Sequence, residues 1–259
     1  MERTIVTHTS PDWDAITSCW LLQRFVPSFA DASVVFVNTG NPDPQALEAA
    51  GAVVDTGRVL DPVHYRMDHH QLSDPNIACA AMLVWQQLLL LERDLLYLQP
   101  LILLIHAGDT GKPEANESRR TGIHALLSAE KARKWGDQEL IAWGYAVLDA
   151  LAEHLKRADE ARRSLDVHTI YRSADGLFVA LEQSSRAAVQ AAHDAGARLV
   201  LWHKTRETTE TIELWRGGEG AAVDCGAVVR AALHNRYEYL DARVELATWY
   251  LHQAGFYAG

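Results

Sequence analysis

The sequence predicts an α/β fold: a parallel-sheet domain first, then a helical connector, then a smaller α+β domain. Three observations lead there. β-branched and helical stretches alternate over the first 60 residues. Residues 121–166 are rich in Ala, Leu, Glu, Lys and Arg, the composition of helices. Strand signals return after residue 168, around Asp175-Gly176, a strong hairpin turn. The expected divisions are 1–125, 126–166 and 167–259.

Residues 4–7 read as a first strand and 14–25 as a helix, with Ile16, Trp20, Leu21 and Leu22 near one face. A second strand covers 33–38, a short helix 44–50 ends at Gly51, and a third strand covers 52–54. Asp55 follows that strand, and Asp68 follows a fourth near 64–67. Such alternation implies a parallel sheet covered on both faces. Ligands then bind beyond the carboxyl ends of the strands, where His8 and Asp55 lie. Asp74-Pro75 reads as an N-cap with proline at the first helical position, opening a helix to about 91. A second apolar helix runs from about 95 to 107. Later come strands at 168–172 and 177–181, a helix at 184–195, strands at 198–203 and 211–216, and two closing helices.

The chain has 259 residues, is 48% apolar and carries a net charge of −10. The charge disfavours non-specific binding to long duplex DNA, whose affinity comes from Lys and Arg on phosphates. Short oligonucleotides and nucleotides stay open, because bound metal ions would cancel carboxylates locally. Cys19, Cys79 and Cys225 lack metal-ligand spacing and read as buried thiols of a cytoplasmic protein. The start lacks a signal peptide's apolar core. The apolar run 82–105 is broken by Glu92, Arg93 and Asp94, so it reads as a buried helical hairpin and no membrane contact is expected.

Chemistry concentrates in four places: His8-x3-Asp12-x-Asp14, Asp55, Asp68-His69-His70, and Asp109. On a strand-to-helix loop, His8 and Asp12 can close over one cation while Asp14 reaches a second. Carboxylate with imidazole suits Mn²⁺ foremost, and also Mg²⁺, Co²⁺ or Zn²⁺. Asp55 could bridge two ions, with His69 and Asp109 completing the second. Two metals about 4 Å apart generate a bridging hydroxide and stabilise the attacking and leaving oxygens of a phosphoryl centre. Singly, each residue has a plainer reading. Asp12 suits an N-cap, Asp14 a first-turn dipole partner, Asp109 a turn, and His69 or His70 a structural histidine. The ordered set favours the metal reading.

These motifs resemble those of the DHH phosphoesterase superfamily, in the same order. His8, Asp12 and Asp14 match its first motif, Asp55 its second, Asp68-His69-His70 its third and Asp109 its fourth. The resemblance implies one metal on His8, Asp12 and Asp55, and another on Asp14, Asp55, His69 and Asp109. It implies a catalytic pair in which His70 faces the substrate phosphate and Asp68 supports it. Within the superfamily, Val53-Val54-Asp55-Thr56-Gly57 and Arg66-Met67-Asp68-His69-His70-Gln71 are similar to the melanocyte-proliferating-gene-one family, which implies a 3′–5′ exonuclease acting on RNA. The likeness is clear over residues 3–125. That family usually carries a second histidine where Asp12 stands here.

Candidate substrate-binding residues are Arg186, His203, Arg216, Gly217 and Gly218 in the last domain. Arginine suits bidentate phosphate contact, and a glycine loop lets backbone N–H groups approach an anion. Each also reads as a surface charge or a hairpin turn. Trp202 and Trp215 could stack a base but suit a core better. The resulting expectation is a two-metal phosphohydrolase cleaving short single-stranded RNA, oligonucleotides or nucleotides. Alternatives are an inorganic pyrophosphatase-like hydrolase and a catalytically silent nucleotide-binding module. In the silent-module reading the apolar segments 82–105 and 241–254 could serve an interface, and a homodimer is a separate expectation.

Overall fold

A computed structural model describes residues 3–74, 77–91, 94–206, 209–217 and 257–258. The chain divides into two units, residues 1–155 and 156–259. Pro75, Gly218 and the two expected closing helices lie outside the described residues.

The first unit is built on strands β1 (Thr4–His8), β2 (Ser33–Val37), β3 (Ala52–Val54), β4 (Leu60–Asp61) and β5 (Arg66–Met67). Their order is β2-β1-β3-β5-β4, parallel except for β4 at the edge. β1 is an interior strand and takes β-branched residues on both faces: Ile5, Val6 and Thr7 are all buried. Successive side chains point to opposite faces. Ile5, Ala52 and Val54 therefore join one apolar cluster, while Val6, Val37 and Val53 join another under helix α2 (Pro44–Ala49). The chain leaves β1 for β2 on one side and then returns across β1 to β3 on the other. The strand order thus reverses between β1 and β3, the position at which doubly wound sheets bind ligands.

Helix α1 (Trp13–Phe25) is buried over its first ten residues, including Asp14, Thr17 and Ser18. It packs with α3 (Ala80–Leu90) and α4 (Gln99–Asp109) in the larger cluster. The helix expected from Asp74-Pro75 starts later, at Ala80. The acceptor that fixes its start comes from α1: the two Asp14 carboxylate oxygens take the N–H groups of Ala80 and Ala81 at 2.8 and 2.7 Å. That tertiary cap replaces the local one read from the sequence. The second apolar helix likewise starts later than expected, after a 3-10 turn at Leu96–Leu98, with Pro100 in its first turn. Among the described residues no helix is long and apolar enough to cross a membrane. The helical stretch resolves into α5 (Asn116–Thr121), α6 (Ile123–Ala132) and α7 (Asp137–His168).

The second unit carries a mixed sheet of β6 (Thr169–Arg172), β7 (Phe178–Glu182), β8 (Leu199–Arg206), β9 (Thr209–Arg216) and β10 (Tyr257–Ala258). Its order is β10-β9-β8-β7-β6, with only β7 and β8 parallel among these pairs. Helix α8 (Arg186–Asp194) makes that crossover, capped by the Ser185 hydroxyl. Gly176 turns the β6–β7 hairpin at φ 71°. Trp202 is buried with Val179, Leu181 and Val200, so it serves the core.

Candidate metal centre

His8 ends β1. Its Nδ1 donates to the Thr9 carbonyl at 2.8 Å, which leaves Nε2 facing Asp55 Oδ2 at 3.1 Å. A hydrogen bond of that kind on Nδ1 is what orients an imidazole whose Nε2 binds a metal. The following loop turns through Ser10, in a left-handed conformation at φ 53°. Two outside groups hold it: Asp137 Oδ1 accepts from Ser10 N, and Lys131 Nζ donates to the Ser10 carbonyl, both at 2.9 Å. Asp12 then caps α1, its Oδ1 accepting from the N–H groups of Asp14 and Ala15. The N-cap reading of Asp12 and its place in the cluster are therefore compatible, because one oxygen does each.

Asp55 leaves β3 at φ 53°. A non-glycine residue there costs energy, and aspartate bears it better than most. The turn aims Oδ2 at His8, while Oδ1 lies 3.7 Å from His69 Nε2 and 3.8 Å from His70 Nδ1. His69 Nε2 also stands 3.8 Å from Asp14 Oδ2 and 3.6 Å from Asp109 Oδ2. Three groups of donors result: His8 with Asp12 and Asp55, Asp14 with His69 and Asp109, and Asp55 with His69 and His70. Asp55 and His69 link them. Separations of 3.6–3.8 Å are too long for hydrogen bonds. They suit donors sharing an ion held at about 2.0–2.2 Å from each.

The electrostatics agree with that fit. Burial, then the charge of Asp55, raises the carboxyls of Asp12 and Asp14 above the usual range. Burial, then the charge of Asp12, pushes Asp109 up to about 6. Burial alone would lower His8, but the hydrogen bond and charge of Asp55 outweigh it and bring it to about 9. Burial opposes the charged form of Asp55, yet the nearby polar groups of His69 and the hydrogen bond from His8 still hold its carboxyl low. Clustered buried carboxylates with raised pKa values are a site short of positive charge. These buried acidic and histidine groups could hold a metal ion, and the oxygen and imidazole donors fit a hard or borderline divalent cation.

Asp68 stands apart from the donor groups. Its Oδ1 accepts from His70 N at 2.9 Å and pairs with His70 Nδ1 at 2.7 Å, and its Oδ2 accepts from Arg58 N at 2.7 Å. It builds the loop that carries His69 and His70. His70 is half exposed, its ring tilted against that of His69.

Asp109 is the last residue of α4, where the helix dipole disfavours a carboxylate. Arg119 compensates. Its Nη2 donates to the carbonyls of Ala107 and Gly108, and its Nη1 to those of Lys112 and the Asn116 side chain. The sequence reading weighed Arg119 only as a remote phosphate contact and left Lys131 and Asp137 out of the site. Nothing in the local sequence marks Lys131 or Asp137, and only the tertiary fold brings them to Ser10. Gly108 carried a usable signal, as an isolated glycine in an apolar helix. A Cβ there would meet His124 Nε2 at 1.8 Å.

In the second unit, Arg186, Arg216 and Gly217 line one cavity of about 360 Å³ with Gln190, His193 and Trp215. His203 does not line it, and its Nδ1 faces Glu182 Oε1 at 3.3 Å. The N–H of Gly217 donates to the Arg198 carbonyl at 3.0 Å, so it is already engaged and does not serve an anion.

Residues 5–155 match the family described as ChrB, C-terminal domain. The chain belongs to that family. The ChrB C-terminal match covers over half of the sequence and holds every donor of the candidate metal centre. No curated protein matches the chain. Two solved structures have some likeness to it. One is PggH, a pGpG-specific phosphodiesterase from Vibrio cholerae: 13% identity, 89% of this chain and 88% of that one covered, TM-score 0.33. The other is an exopolyphosphatase-related protein from Bacteroides fragilis: 13% identity, 84% and 79% covered, TM-score 0.26. At this level of likeness neither structure bears on function.

Proposed function

We propose that this chain is a divalent-metal-dependent phosphohydrolase acting on a phosphoester of a nucleotide or short oligonucleotide. One observation carries the reading. Two donor groups, His8–Asp12–Asp55 and Asp14–His69–Asp109, meet through Asp55 and His69 where the strand order reverses. In this reading His8, Asp12 and Asp55 hold one ion, and Asp14, Asp55, His69 and Asp109 the other. Bound divalent ions supply Lewis acidity and a strong nucleophile at neutral pH. The residues supply the rest. His8 is oriented through Nδ1 by the Thr9 carbonyl. Asp68 fixes His70 through Nδ1, so that its other ring nitrogen is presented to the substrate phosphate. Asp14 ties the site to α3 and keeps the donors rigid. The second unit, with Arg186 and Arg216 on one cavity, is the proposed source of substrate selectivity. Mn²⁺ is the first metal to test, and short single-stranded RNA, as the motif resemblance suggests, the first substrate.

The test is a hydrolysis panel with Mn²⁺ over short RNA, short DNA, cyclic dinucleotides, pyrophosphate and bis-phosphorylated nucleosides. Turnover of a phosphoester, lost on chelation and in Asp109→Asn, is the expected result. Turnover of pyrophosphate alone makes it a pyrophosphatase. Binding of nucleotides without turnover under several divalent metals makes it a silent module. Asp109 is the better probe than Asp14, because an amide at position 14 would oppose a backbone N–H of α3.

A further inference from the structure

Beside the donor cluster lies a cavity of about 270 Å³, room for several groups the size of water. One wall is acidic: Asp12, Asp14 and Asp109. The other comes from α5 and α6 and is cationic or polar: Arg119, His124, Ser128 and Lys131. Most donors of that second wall are already used. Arg119 spends four of its five N–H bonds on Lys112, Asn116, Ala107 and Gly108. The Ser128 hydroxyl donates to the His124 carbonyl at 2.9 Å. His124 Nδ1 pairs with Ser118 Oγ at 2.8 Å, and its Nε2 lies against Gly108. Lys131 differs. An ammonium has three donors, and one of them goes to the Ser10 carbonyl at 2.9 Å. That bond holds the charge over the loop between His8 and Asp12.

We propose that Lys131 binds a non-bridging oxygen of the substrate phosphate in this cavity, opposite the metal-binding carboxylates. The assignment rests on the phosphohydrolase reading for its substrate and on the cavity walls for its geometry. Once ions occupy the carboxylate side, the cavity has positive charge on both walls, which suits a phosphate group. The Ser10 bond pre-sets the ammonium, so less side-chain freedom is lost on binding.

The experiment titrates inorganic phosphate into the Mn²⁺-loaded full chain by calorimetry, for the native protein, Lys131→Gln and Lys131→Arg. Lys131→Gln should weaken phosphate about tenfold or more, the scale of one charge-assisted hydrogen bond. Its Mn²⁺ affinity should stay within about twofold, and Lys131→Arg should recover most of the phosphate affinity. The inference is overturned by unchanged phosphate affinity in Lys131→Gln. Equal losses of phosphate and Mn²⁺ affinity also overturn it, since Lys131 then only anchors the loop, as does native protein that binds no phosphate. Should the glutamine variant fail to fold, lysine acetylation of the native Mn²⁺-loaded protein decides: phosphate must protect Lys131 several-fold, and absence of protection counts against the inference. If the hydrolysis panel stays negative while Lys131 governs phosphate affinity, the phosphohydrolase reading falls and the binding site stands. If the native protein turns over substrate and phosphate ignores Lys131, only the binding site falls.

Discussion

In the first unit, four carboxylates and three imidazoles converge near the ends of β1 and β3, with His69 Nε2 standing 3.6–3.8 Å from Asp14, Asp55 and Asp109. In the second unit, several charged groups among the described residues face a ring or an opposite charge. Arg186 lies 5.1 Å from the Trp215 ring, Lys204 pairs with Glu213 and lies over Trp202, and His203 faces Glu182. Both regions hold the residue types from which sites are built. In the first, burial and the charges of neighbouring carboxylates together raise Asp12, Asp14 and Asp109. An electrostatic deficit left standing in a buried place is a stronger pointer to a ligand than a count of cations.

The comparison breaks most readily at Asp55, which the donor groups share. Asp55→Asn keeps the shape and tolerates the left-handed backbone at φ 53°, so the fold should survive. Mn²⁺ affinity should drop by roughly two orders of magnitude or more, since even partners one step removed from a metal are worth about 10–100-fold. Arg216→Gln in the second unit should leave Mn²⁺ affinity unchanged. Calorimetric titration of both variants checks this, and an Asp55→Asn protein that still binds Mn²⁺ tightly would remove the basis for a shared ligand.

The pH response should differ in sign between the metal-free and metal-loaded protein. Folded Asp109 holds its proton up to about 6, against 3.8 for an ordinary carboxyl. Folded His8 holds its proton up to about 9, against 6.5. Between 3.8 and 6, and again between 6.5 and 9, the folded state binds more protons than the unfolded state. Stability of the metal-free protein therefore falls as pH rises through both windows. The lowered Asp55 acts in the opposite sense, but only below its ordinary 3.8. Ions compete with those same protons, so the stabilisation Mn²⁺ provides should grow over the same rise. Thermal melts from pH 5 to 9 with and without Mn²⁺ check it. Parallel curves would mean that the clustered groups do not bind the metal.

A smaller contrast sets one arginine against another. Arg119→Ala uncaps the end of α4 and should cost about 2–3 kcal/mol, the range for hydrogen bonds from a charged group. It should also weaken Mn²⁺ binding, because Asp109 sits on that end. Arg186→Ala loses a ring contact worth about 0.5–1 kcal/mol and should not touch Mn²⁺ binding. Denaturant melts and Mn²⁺ titrations separate the two.

Much of the first unit was legible in the sequence because its signals are local. The β-branched run at residues 4–7 and the apolar 52–54 segment became adjacent strands, and the residues after them sit at adjacent ends. What was not legible depends on groups far apart in the chain. Asp74-Pro75 is a sound local helix start, yet α3 begins at Ala80 because Asp14 supplies its cap from 66 residues away. Lys131 carries no local signal, and its place shows only in its bond to Ser10, 121 residues away. The His124–Gly108 contact was hidden for the same reason. In the second unit, the residues chosen for phosphate contact were picked by type. Type does not tell whether a group is already engaged, as His203 facing Glu182 and the bonded N–H of Gly217 show.

The finest test concerns that helix contact. Alanine favours a helix over glycine by about 1 kcal/mol, so Gly108→Ala would stabilise α4 if nothing lay against it. A methyl group there meets His124 Nε2 at 1.8 Å, so the ring must swing away and leave Ser118. The single change should therefore destabilise the protein by about 1–2 kcal/mol, combining a lost hydrogen bond with local overpacking. In a His124→Ala background the obstacle is gone, and Gly108→Ala should turn neutral or stabilising. A four-member cycle of denaturant melts reads the coupling directly. If Gly108→Ala costs the same with and without His124, the contact does not govern position 108. The wall that α5 and α6 present to the carboxylates would then be set by Arg119 and Lys131.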